Sequence, residues 1–126
     1  RRAGVAALAA VLAACTTAGS APTHRDIAIA GSRVHPESLS ADAAGNLYNG
    51  SANGTIYRTP AGSKTAMPWI APGPANGLRS LFGVLADDRR GVLWVCNNPN
   101  LFARETGTSS LKSFALATGE LVASYD

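Results

Sequence analysis

The chain has 126 residues, 46% of them apolar, and a formal charge of +3. Arg1 and Arg2 carry two of the positive charges; beyond them Lys plus Arg barely exceeds Asp plus Glu, no basic stripe remains, and nucleic acid is excluded as a partner. The longest apolar run, Ala3 to Ala14, falls short of the roughly 20 residues that a bilayer-spanning helix needs.

In chain order, the first element is that run. Arg1-Arg2 followed by small residues and leucines has the form of an export signal over residues 1–14. It closes on Leu12-Ala13-Ala14-Cys15, and 15–23 continues as a small, polar, Pro-containing tether. The tetrapeptide resembles the lipobox of bacterial lipoproteins, which implies a diacylated Cys15 and attachment to a membrane through the lipid. Thr16 in place of an acidic residue implies, by the same resemblance, an outer-membrane lipoprotein facing the periplasm. The alternative is an ordinary signal peptide cut nearby and a periplasmic protein. With Cys15 lipidated, Cys96 is the one thiol left and no intrachain disulfide can form. Cys96 is expected as a small buried side chain in the strand Val92–Cys96.

From residue 24 onward the pattern is β throughout. Ile27 to Ala30 is a short strand, expected to complete a last blade. Leu39, Asp42, Gly45, Leu47 and Tyr48 then recur as Leu85, Asp88, Gly91, Leu93 and Trp94, each 46 residues on. A period of about 40 to 50 residues with several short strands per unit is the signature of a β-propeller blade. Blade one spans about 33–70, with strands at Ser38–Ala41, Leu47–Ser51, Thr55–Thr59 and Ala66–Ile70. Asn53-Gly54 signals a type I′ hairpin, and Pro68 places the fourth strand at an edge. Blade two spans about 81–126, with strands at Leu81–Ala86, Val92–Cys96, Leu111–Leu116 and Leu121–Tyr125. Its middle is interrupted by the long loop Asn97 to Gly107. The expected fold is all-β: about two blades of a six-bladed propeller within 24–126, incomplete at the C-terminus, with sheet faces left wet.

In such a topology Arg33 to Pro36, Ala71 to Ser80 and Asn97 to Ser109 collect on one loop-rich face, where ligand sites concentrate. Glu37 opens an inner strand there, either as a metal ligand or as a carboxylate tying down loop amides. His35 is a candidate ligand-binding residue or a solvated loop histidine. Asn97, Asn98 and Asn100 suit a sugar or metal, or simply form turns. Asp87, Asp88, Arg89 and Arg90 read as a solvated turn on the opposite face, and Trp94 as core between blades. No catalytic residue is assigned.

HPESLSADAAGNLYNGS, GTIYR and FGVLADDRRGVLWVC resemble the gluconolactonase/regucalcin (senescence-marker-protein) family of six-bladed propellers. The resemblance implies that Glu37 ligates one divalent, calcium-type cation, which serves hydrolysis of a sugar lactone or related ester. The family's Glu-Gly-Pro is Pro36-Glu37-Ser38 in this chain, and Gly83-Val84-Leu85 stands where its second-blade Asn-Asp-Gly is expected. Two functions follow: an exported metal-dependent lactone hydrolase, or a non-catalytic propeller binding a small molecule or a protein of the cell envelope.

Overall fold

Short apolar runs separated by glycine-bearing turns give nine strands and no helix among the described residues. The computed structural model describes residues 25–126; the expected signal segment 1–14, the lipidation site Cys15 and the tether through Thr23 lie outside them. The strands are β1 (Ala28–Ile29), β2 (Pro36–Ala41), β3 (Leu47–Ser51), β4 (Ile56–Thr59), β5 (Thr65–Ile70), β6 (Ser80–Asp87), β7 (Val92–Asn98), β8 (Ser110–Ala115) and β9 (Leu121–Tyr125). Two antiparallel meanders result, β2 to β5 and β6 to β9. They are successive blades of a partial β-propeller.

The core lies between the two sheets. Tyr48, Ile56 and Ile70 of blade one cluster with Leu81, Leu93, Val95 and Phe114 of blade two, and Leu78 from the connection joins them. Gly50 permits the close approach: a Cβ there would stand 3.0 Å from Val84 Cγ1. Two polar links reinforce the contact, Ala86 N–H to Ser40 Oγ at 2.9 Å and Ser80 Oγ–H to the Ala52 carbonyl at 2.8 Å.

Several expectations need correction. β1 does not complete another blade but adds in parallel to β5, with Ala28 N–H to Lys64 O at 3.0 Å and Ala30 N–H to Ala66 O at 2.9 Å. Pro68 lies past that short pairing and so does not block it. The Asn53-Gly54 hairpin is not type I′, because only Gly54 has a positive φ. Gly54 N–H instead bonds Ser51 O at 3.0 Å, and the glycine leads into β4. Cys96 is exposed rather than buried, and Trp94 is half-buried. Both lie on the face of blade two turned away from blade one, together with Leu85 at 60% exposure and Tyr125 at 55%.

The repeat is deeper in structure than in sequence, and it slips by one residue. Tyr48 stacks at 5.3 Å on Trp69 of its outer strand, and Trp94 stands 6.3 Å from Tyr125 of its own. Asp42 accepts bonds from Asn46 N–H, Asn46 Nδ2 and Tyr48 OH at 2.7 to 2.9 Å. In blade two the turn is one residue longer, seven positions separating acceptor and aromatic against six in blade one, and Asp87 takes that role, accepting from Arg90 and from Trp94 Nε1 at 3.3 Å. Asp88, the sequence counterpart of Asp42, reaches back to the Ala43 N–H of blade one at 3.0 Å. These carboxylates are therefore structural rather than simply solvated.

Their titration gives a prediction. Burial pushes the Asp42 carboxyl up, but the donated bonds from Asn46, Tyr48 and Ala44 outweigh it and leave it below the usual value. Asp87 is lowered chiefly by Arg90. Burial, then the bond to Asp42, push the Tyr48 hydroxyl up to about 12. A lowered carboxyl stabilises the fold above its unfolded pKa and loses that contribution as pH falls through the folded one; a raised hydroxyl contributes below its unfolded value and loses it as pH rises through about 12. Melting followed by circular dichroism should therefore fall at both ends of the pH range, and Tyr48→Phe should remove the alkaline limb. An alkaline limb unchanged in Tyr48→Phe would exclude the assignment.

Candidate functional site

The loop-rich end of the two sheets is built from the segment before β2 and the long loop after β7. Arg33 and His35 both adopt positive φ, 53° and 47°. For residues with a side chain this costs about 1–3 kcal/mol each, and such residues gather at ligand clamps. The surrounding structure holds the conformation at three consecutive carbonyls. Asn53 Nδ2 reaches Arg33 O at 3.5 Å, Ser51 Oγ donates to Val34 O, and Ala52 N–H donates to His35 O at 3.0 Å.

The blade-two loop is braced just as fully. Asn97 is buried, and its amide is wholly used: Oδ1 accepts Arg79 N–H at 2.8 Å while Nδ2 faces Gly77 O and Ser110 Oγ at 3.2 Å. Asn98 Oδ1 accepts Ser109 Oγ–H at 2.7 Å. Asn100 Oδ1 caps a turn through Phe102 and Ala103 N–H groups at 3.0 Å, and Glu105 Oε2 accepts Asn100 N–H at 2.8 Å. Arg79 reaches Thr108 O at 2.8 Å, and Leu101 N–H bonds Ser80 Oγ at 3.0 Å. The bracing carries Phe102 across to blade one, where its ring lies 4.9 Å from that of His35.

Between them is a cleft of about 420 Å³ lined by Ser32, Arg33, His35, Asn53 and Phe102. Of the predicted site residues it takes in His35. The three asparagines hold the loop that presents Phe102, and Glu37 is not in the lining. Sequence reasoning singled out neither Arg33, Asn53 nor Phe102 as a site residue. The available signal was Phe102 itself, the lone aromatic of the loop Asn97 to Gly107.

Glu37 is the extra residue of a β-bulge between Pro36 and Ser38. Its carboxylate is exposed and makes no hydrogen bond to any described residue, so it does not tie down a loop. Its blade-two counterpart is the bulge residue Phe82, one position before the expected Gly83, again without a side-chain oxygen. A calcium-type cation takes six to eight oxygens. No three His, Cys, Asp or Glu side chains cluster among the described residues. The one orphaned oxygen nearby is the buried Ser38 hydroxyl.

Residues 26–59 match the family model described as strictosidine synthase-like, N-terminal. That family belongs to the gluconolactonase β-propeller superfamily. The match runs from just before β1 to the end of β4, and holds Arg33, His35, Glu37 and Asn53 but not Phe102. No curated protein and no solved structure matches the chain.

Proposed function

We propose that the chain furnishes the ligand-recognition rim of an exported propeller, attached to a membrane through Cys15, and that the rim binds a small ring-bearing molecule between the two blades. The observation that carries this is the placement of Phe102 against His35. A loop spends a large set of hydrogen bonds to hold one aromatic ring, 56% exposed, over a strained segment of the neighbouring blade. Pre-organised apolar walls with a few fixed polar groups are what small-molecule sites require.

A second reading is metal-assisted hydrolysis of a sugar lactone, favoured by the unengaged Glu37 carboxylate at the start of the inner strand. One set of measurements separates them. Saturation-transfer NMR on the full chain, with small aromatic compounds and glucono-lactone, should show contacts without added calcium. Phe102→Ala should abolish them, and Glu37→Gln should leave them intact. Calcium-dependent lactone hydrolysis lost in Glu37→Gln would establish the second reading; contacts that survive Phe102→Ala would remove the first.

A further inference from the structure

The cleft between Phe102 and His35 has a one-sided polar lining. Its polar lining residues are Arg33, Ser32 and Asn53, and among the described residues the Asn53 amide Nδ2 has one partner, the long 3.5 Å contact to Arg33 O. The Asn53 Oδ1 is already occupied by Thr55 N–H at 3.0 Å, so this amide faces the cleft as a donor. No carboxylate lines the cleft, and Arg33 has no ion-pair partner among the described residues. Of the other loop cations near this rim, Arg79 is paired with Glu105 at 3.5 Å and Arg104 is not in the lining, so the positive charge in the cleft is that of Arg33.

Resting on the reading of this cleft as a ligand site, we infer that its ligand is a planar ring bearing an anionic group, such as a small aromatic carboxylate. The ring lies against Phe102 and His35, and the anion takes the fork of Arg33 with the Asn53 amide beside it. Arg suits this role because its planar donors match two carboxylate oxygens at once. A neutral or cationic ring gains the same apolar wall but no partner for the guanidinium.

The test uses the full chain and three probes of one shape: benzoate, benzamide and benzylamine, titrated by NMR. Benzoate should bind at least about tenfold tighter than benzamide, and benzylamine weakest. Arg33→Gln, with its melting temperature checked against the wild type, should bring benzoate down to the benzamide level and leave benzamide unchanged. Phe102→Ala should weaken all three together. Equal affinity for the three probes in the wild type would overturn the anion assignment while leaving the cleft as a ligand site. If no probe binds, or Phe102→Ala changes nothing, the site itself is lost and the inference with it. The wild-type comparison needs no variant, so misfolding of a mutant cannot obscure the outcome.

Discussion

Replacing Gly54 with alanine should cost about 3 kcal/mol or more, a large part of the 5–15 kcal/mol that holds a typical domain. Two effects add. Gly54 has a φ of 89°, where a side chain costs about 1–2 kcal/mol. Its new Cβ would also drive into the Arg79 carbonyl and stand 3.2 Å from Pro72 Cβ. Neither neighbour is the flexible tip of a side chain, so relief requires the connection between the blades to move, and overpacking of this kind costs about 1–3 kcal/mol. Urea denaturation should show a lowered midpoint, whereas Gly62→Ala, at φ 77° but in open space, should show the backbone cost alone. Equal losses in the two variants would mean that the contact between hairpin and connection contributes nothing.

Phe114→Ala should cost about 3–5 kcal/mol, as for an aromatic ring removed from a closed core. Phe114 is fully buried among Tyr48, Ile56, Ile70 and the blade-two aliphatics. The informative control is Leu85→Ala on the opposite face of the same sheet. Leu85 is as apolar as any core residue but 60% exposed, and its truncation should cost no more than about 0.5 kcal/mol. Similar midpoints for the two variants in chemical denaturation would show that the sheets do not close on each other as described.

Most of the fold was legible because strand periodicity and turn chemistry are local. The eight meander strands announce themselves through runs such as Leu93-Trp94-Val95 and through glycines at turns. What failed was non-local or depended on a single residue of register. The fixed offset of 46 equated Asp42 with Asp88, yet a turn longer by one residue hands the acceptor role to Asp87 and frees Asp88 to bond the other blade. β1 was expected elsewhere because a two-residue strand carries no information about its partner. Cys96 was misplaced because alternation along β7 says which residues share a face, but not which face is covered. The candidate site was harder still. His35 was visible as a loop histidine, but its meeting with Phe102, 67 positions later, depends on how Asn100 and Glu105 close the intervening loop. The asparagines drew attention as ligands, and all three turned out to be the scaffold.

The unlike edges of the two sheets bear on how the chain behaves at high concentration. A bare strand edge is a template on which another chain can extend the ladder. Blade one carries two safeguards at its outer strand: β1 occupies part of the rim, and Pro68 lacks the donor that an incoming strand would need. β9 has neither. Leu121 to Tyr125 contains no proline and no charge, Val122 is 59% exposed, and no described residue pairs with its outer side. Growth of ordered aggregates would start at β9, and a lysine at Val122 is the gatekeeper that blade two lacks.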